Sequence, residues 1–213
     1  MLLLEERKQI VFYGNQLIKR CLTTGSGGNI SIYNRKEDLI ALTPSSMNYS
    51  DLTPEDILVI DPGGNIVEGT NSISTEINMH LLVYRNRLDV CGIVHTHSLY
   101  ATAMSCMGWD IEPVHYMLAM AGPVVKCSKY AIYGSEELGR RALDALGNRG
   151  ACLLGNHGLL AAAATLEHAF STAEHLEYVA KLTCVTKNLG NPNILTEQQI
   201  QDVMDKFGTC SYK

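Results

Sequence analysis

A chain of 213 residues, 46% hydrophobic and 18% charged, can bury roughly 70% of the surface its unfolded form exposes, which excludes a disordered, collagenous or disulfide-stapled protein. A net charge of −5 offers no basic footprint for nucleic acid or an anionic membrane, and no run approaches the roughly 18 to 20 apolar residues of a membrane helix. The seven cysteines are odd in number and never spaced C-x-x-C, so a disulfide framework and a zinc finger are both disfavoured and reduced thiols in the cytoplasm are expected.

In chain order, Ile10, Val11, Tyr13, Gly14, Leu17 and Ile18 recur at helical spacing and predict a first helix over residues 4 to 21. The stretches NISIYN, DLIALTP and DILVIDPGGNIVEG carry β-branched residues bounded by Gly, Pro and Asp. They read as strands, with Pro62-Gly63-Gly64-Asn65 as a hairpin turn. STEINMHLLVYRNR places Ile77, His80, Leu81 and Tyr84 on one helix face, with Ser74 or Thr75 available as cap. VCGIVHTH reads as a strand, SLYATAMSCMG as a helix and KCSKYAIYG as extended chain. Ser135 opens the helix SEELGRRALDALGN, with acids in its first turn and Gly147 near its end. GACLLGNHGLLAAAA is a strand, a turn and a second strand. TLEHAFSTAEHLEYVAKLTCVTKN is a long amphipathic helix, and TEQQIQDVMDKFG a shorter one with Thr196 as cap. Helices interleaved with hairpin strands predict a single α/β domain over 1–213, with a mixed sheet covered on both faces and residues 207–213 as a tail.

The pair His95 and His97 lies at the end of an apolar strand, where residues i and i+2 project from one face and bring two nitrogens toward a common point. That is metal-ligand spacing, although two exposed histidines alternating with Thr96 would give the same pattern. His157 adds weight, because a tight Gly-Asn-His-Gly turn between apolar strands presents one imidazole. Three histidines from such settings, with no cysteine beside them, fit a zinc site with an open coordination position better than a closed structural site. Glu76 falls in the first turn of its helix, where the macrodipole stabilises a carboxylate, so it is either a surface acid or a functional one. His80, one turn later, is a ligand, a partner of Glu76 or a buried polar residue, of which an outer-shell partner is favoured. His115, His168 and His175 have no companions and read as structural or solvated. Gly25-Ser26-Gly27 begins like a dinucleotide fingerprint, but no third glycine follows and the next element is a strand, which argues against a Rossmann site. Ser45, Ser46, Ser74 and Thr75 supply hydroxyls near a helix N-terminus, either as an anion site or as turn formers and caps.

Taken together, SGGNIS, LTPSSM, STEINMH, IVHTHS, PVHYMLAMAG and LLGNHGLLA, in this order over nearly the whole chain, resemble the class II aldolase and epimerase family. The resemblance implies a three-layer α/β/α fold with a mixed, mostly antiparallel central sheet, and a homotetramer with active sites between subunits. It implies a zinc ion on His95, His97 and His157, with Glu76 as fourth ligand and acid/base. It places Gly28, Asn29, Ser45, Ser46, Ser74 and Thr75 in phosphate-binding segments and makes Tyr116 a residue lent to a neighbouring subunit. Related epimerases are expected to carry aspartates where Glu76 and Tyr116 stand, so an aldolase is implied. The expected reaction is reversible cleavage of a phosphorylated ketose, L-fuculose 1-phosphate, to dihydroxyacetone phosphate and L-lactaldehyde. Zinc acts there as the Lewis acid and no Schiff-base lysine is needed, so Lys126 and Lys129 are read as solvated or structural. The family's tail tyrosine follows a Phe-x-Thr segment; here Cys210 stands at the ungapped position and Tyr212 two residues later, so Tyr212 is the candidate to close over substrate. A ribulose-5-phosphate 4-epimerase or a sugar-phosphate dehydratase on the same zinc site, and a non-catalytic zinc-binding oligomer, are the alternatives.

Overall fold

The computed structural model describes residues 1–209; Cys210 and Tyr212 lie outside them. Strands β1 (Asn29–Asn34), β2 (Leu39–Leu42), β3 (Leu58–Ile60), β4 (Ile66–Glu68), β5 (Gly92–Thr96), β6 (Ala151–Leu154) and β7 (Gly158–Ala163) form one sheet. Their order is β4-β3-β2-β1-β5-β7-β6. Each ladder between them is antiparallel, and the parallel component is an isolated bridge between Cys127 and Leu153. Short turns join β1 to β2, β3 to β4 and β6 to β7, and such hairpins join only antiparallel neighbours. The expected Pro62–Asn65 hairpin joins β3 to β4, tied by Asp61 N to Asn65 O at 3.0 Å and Gly64 N to Asp61 O at 2.9 Å.

Period-2 alternation divides the strand side chains between two cores. Val94 of β5 and Leu159 and Ala161 of β7 join Ile30 and Ile32 of β1 on one face. Their neighbours Ile93, Leu160 and Ala162 join Ile40 and Leu42 of β2 on the other. Helices α1 (Leu4–Lys19), α3 (Leu99–Cys106) and α5 (Leu166–Leu189) cover the first face, with Ile10, Leu17, Met104, Phe170 and Leu176 buried. Helices α2 (Ile77–Asn86) and α4 (Glu136–Leu146) cover the second through Ile77, Leu81, Leu138 and Leu146. Each such side chain contributes roughly 1.5–3 kcal/mol on burial. Helix α6 (Glu197–Thr209) packs on the 3₁₀ turn Tyr116–Met120 and carries regular structure into the segment expected as tail. No helix among the described residues is long and apolar enough to cross a membrane.

The helix ends follow the expected capping chemistry with two corrections. Ser135 Oγ accepts from Leu138 N at 3.1 Å. Thr196 and Gln199 form a reciprocal capping box, Gln199 N to Thr196 Oγ1 at 3.2 Å and Thr196 N to Gln199 Oε1 at 2.9 Å. The first helix stops at Lys19 rather than residue 21 because Cys21 is left-handed, with φ 56°. Neither Ser74 nor Thr75 is the N-cap of α2: that position belongs to Glu76, whose side chain makes no capping bond. Ser74 Oγ instead accepts from Glu76 N at 3.2 Å, so the local turn is satisfied by serine and the carboxylate is left to point elsewhere.

Candidate active site

Pairing of β5 with β7 is what assembles the histidines. His95 sits opposite Leu160, and its Nδ1 lies 2.9 Å from Leu159 O. A carbonyl only accepts, so Nδ1 carries the proton and Nε2 presents a lone pair. His97 follows β5 on the same side, with its Nε2 3.0 Å from His95 Nε2. His157 comes from the turn between β6 and β7, where Asn156 adopts φ 54° and His157 N donates to Leu154 O at 3.0 Å. The end of α3 steadies that turn: Asn156 N donates to Ser105 O at 3.2 Å, and His157 N to Ser105 Oγ at 3.3 Å. Two glycines permit the approach of these segments. Gly28, at φ +73°, lies where a Cβ would strike the His95 carbonyl, and a Cβ on Gly158 would meet the Thr96 carbonyl and both strand imidazoles.

One ligand nitrogen from each of the three histidines lies within 4.8 Å of the other two, and Glu76 faces them. Its Oε1 is 3.2 Å from His157 Nε2 and its Oε2 3.4 Å from His95 Nε2. Burial holds His95 well below the ordinary imidazole range, helped by its neighbours His157 and His97. Burial likewise lowers His97, with His157 acting the same way and Glu76 opposing. Neutral imidazoles are the metal-binding form. A cation fits these residues on two observations. Nε2 atoms at 3.0 Å cannot both carry protons, and Glu76 Oε1 is buried with no hydrogen-bond partner.

Outside the cluster, Asn29 Nδ2 donates to Glu76 Oε2 at 2.8 Å, so this residue of the expected phosphate segment has its amide turned to the carboxylate. Ser45 N donates to Ser72 O at 2.9 Å, which ties the turn of Ser45 and Ser46 to the segment of Ser74 and Thr75. Ser45 Oγ and Ser46 Oγ lie 3.3 Å apart. Gly28 ends the glycine-rich turn directly beside His95. His80 does not join the metal cluster; it is fully buried and bonded to Asn29 and Ser31. His115 accepts from Met117 N at 3.3 Å, and His175 Nδ1 lies 2.7 Å from Ser171 O. Lys126 pairs with Asp110 at 2.7 Å, and among the described residues no lysine lines the cleft beside Glu76.

That cleft has a volume of about 360 Å³, and its lining includes Thr75, Glu76, His97 and His157 together with Tyr130 and Tyr133. The sequence reading missed both tyrosines. Their signal was faint: two aromatics in the extended segment KYAIYG, which Gly134, at φ +76°, holds against Thr75. Tyr116 lies away from this cleft, half exposed on its 3₁₀ turn and stacked on His115 with ring centroids 4.6 Å apart.

Comparison with known proteins gives concordant results. The model of the class II aldolase and adducin N-terminal domain matches residues 8–184. The 5-deoxy-D-ribulose 1-phosphate aldolase of Bacillus thuringiensis serovar kurstaki is 42% identical over 97% of this chain and 97% of its own. The L-fuculose phosphate aldolase of Escherichia coli K12 is 35% identical over 95% of this chain and 94% of its own. A solved L-fuculose 1-phosphate aldolase superposes with a TM-score of 0.94 at 40% identity, covering 96% of each chain.

Proposed function

The chain belongs to the class II aldolase family, and from that premise we propose that it cleaves a terminally deoxygenated ketose 1-phosphate, reversibly, to dihydroxyacetone phosphate and a short aldehyde. The observation that carries this reading is Glu76, a buried carboxylate with one unpartnered oxygen at the wall of a cleft, facing three imidazoles. His95, His97, His157 and Glu76 are the residues that would hold the cation, for which we propose zinc. When bound, the cation supplies Lewis-acid stabilisation of negative charge on the ketose oxygens.

The chain's own groups account for the remaining requirements. As the acid/base, Glu76 delivers a proton to the carbon that loses its partner in cleavage, and removes it in the condensation direction. Backbone N–H groups after Gly27 and the hydroxyls of Ser45, Ser46, Ser74 and Thr75 are assigned to the phosphate. Tyr130 and Tyr133 offer aromatic surface to the far end of the sugar, which suits a methyl group better than a hydroxyl because the burial of apolar area is what aromatic faces reward. We assign Tyr116 of a neighbouring subunit, in a cytoplasmic homotetramer, and Tyr212 to the aldehyde oxygen and to closure over the substrate.

Among substrates, the 42% identical relative favours 5-deoxyribulose 1-phosphate, whose aldehyde product is acetaldehyde. The solved aldolase with a TM-score of 0.94 favours L-fuculose 1-phosphate, which releases L-lactaldehyde. The two share the triose phosphate half and a terminal methyl. The test is a panel of these two compounds with 5-methylthioribulose 1-phosphate and L-ribulose 5-phosphate, given to metal-replete protein. Triose phosphate released from one of the first three at a kcat/KM of about 10⁴ M⁻¹s⁻¹ or more supports the reading and ranks the substrates. Inversion of ribulose 5-phosphate without triose phosphate would make the protein an epimerase, and no turnover with full metal occupancy would leave a binding protein.

A further inference from the structure

We propose that His80 is a positioning residue in a one-way chain of hydrogen bonds, Tyr84 to Ser31 to His80 to Asn29 to Glu76, that locks one oxygen of the Glu76 carboxylate and leaves the other to act; this rests on the acid/base role proposed above for Glu76.

Two periodicities interlock to make the chain. Glu76, His80 and Tyr84 are spaced four residues apart and form one stripe that runs from the N-cap of α2 along the helix. Asn29 and Ser31 are two apart on β1 and share one face of the strand. His80 and Ser31 have no exposed surface, Tyr84 has 1% and Asn29 4%. The contacts are short: Tyr84 OH to Ser31 Oγ 2.7 Å, Ser31 Oγ to His80 Nδ1 2.6 Å, His80 Nε2 to Asn29 Oδ1 2.5 Å and Asn29 Nδ2 to Glu76 Oε2 2.8 Å.

The polarity follows from which atoms can donate. A carboxylate only accepts, so the Asn29 amide must turn its NH₂ to Glu76 and its carbonyl to His80. That carbonyl needs a proton from Nε2, which leaves Nδ1 of the neutral ring as an acceptor for the Ser31 hydroxyl. Ser31 then accepts from Tyr84, whose alternative partner, Cys91 O, is at a long 3.5 Å. The opposite tautomer would set a lone pair on Nε2 against Asn29 Oδ1, and a flipped amide would set two acceptors together at Glu76. Every donor therefore points toward the carboxylate, and each bond polarises the next. The consequence lies at the far end: Oε2 is fixed, while Oε1, buried and hydrogen-bonded to nothing, lies 3.2 Å from His157 Nε2.

Two measurements test the chain. In unmutated, ¹⁵N-histidine-labelled protein, His80 is expected as the neutral Nε2–H tautomer with a slowly exchanging, downfield Nε2 proton; an Nδ1–H tautomer overturns the proposal. This readout does not depend on turnover, so it decides the chain even if the substrate panel fails. In metal-saturated enzyme, His80→Leu is expected to lower kcat about 10- to 100-fold, the usual cost of losing an outer-shell partner, with KM and metal content little changed. His80→Gln, whose amide nitrogen reaches the position of Nε2, should recover most of that loss. Equal losses in both variants, or a loss expressed only in KM or metal content, would show a structural role instead. Tyr84→Phe, which removes one hydroxyl at the remote end, should move the His80 Nε2 proton upfield with a few-fold loss of kcat, and no movement of that resonance also overturns the chain.

Discussion

Replacing Glu76 with glutamine separates the carboxylate's chemistry from its place in the fold. Gln is isosteric, and its side-chain oxygen can still accept from Asn29 Nδ2, now at 2.8 Å from Glu76 Oε2. Its amide nitrogen would then occupy the position of Oε1, 3.2 Å from His157 Nε2, and donates to that nitrogen when it is unprotonated. The variant should therefore fold, with a melting temperature in the metal-free state equal to or above that of the parent, because a buried charge has become a neutral donor. The three imidazoles remain to hold the cation. What is lost is proton transfer, which typically contributes about 10²- to 10⁴-fold. At 1.36 kcal/mol per tenfold, that amounts to about 2.7 to 5.5 kcal/mol of barrier. The assay is the initial rate of triose phosphate release at saturating zinc, with bound metal quantified in the same samples. A fall in kcat of less than about threefold at equal metal occupancy would refute the assignment and return Glu76 to a carboxylate beside a helix N-terminus.

The other expectations are independent of that variant. Chelation should abolish turnover and zinc restore it, while His95→Ala should lose metal measurably by elemental analysis, because its Nε2 lies 3.0 Å from His97 Nε2 and 3.4 Å from Glu76 Oε2. His80, held at about 3 by burial, binds no proton in the folded state across the range where an unfolded imidazole, near 6.5, does. The contribution of His80 to native stability is thus complete above pH about 6.5 and is lost as pH falls toward 3, at up to about 1.4 kcal/mol per pH unit. Urea unfolding of metal-free parent and His80→Gln at pH 7 and 5.5 should show a shallower fall in the variant, and identical slopes would contradict the burial argument. Light scattering should find an oligomer, and Tyr116→Phe should slow turnover without dissociating it; an active monomer would contradict the assignment of Tyr116 to a neighbouring subunit.

Much of the site was legible because it is built from local periodicities. Spacing of two on a strand sets His95 and His97 side by side whatever the rest of the chain does, and the small residues around His157 mark a turn that presents a side chain. Ser135 and Thr196 announce their helices because an orphaned backbone N–H group at a helix start is best satisfied by a nearby hydroxyl. The hairpins also follow from sequence, since turn residues between short β-branched runs leave only antiparallel pairing. Other features depended on what distant segments bury. Only the lateral order of the strands, with β7 beside β5, brings His157 to the pair on β5, and pairing between strands so far apart in sequence has no local signal. The sequence offers Ser74 or Thr75 as the cap of α2, but the tertiary structure uses the Ser74 hydroxyl on Glu76 N and leaves the carboxylate free of any capping bond. Asn29 belongs to a segment expected at the phosphate, and only the tertiary structure shows its side-chain amide bridging Glu76 and His80. Tyr130 and Tyr133 belong to a segment without regular structure, where no period tells which way a side chain faces, so their place on the cleft wall was decided by the packing of Gly134 against Thr75.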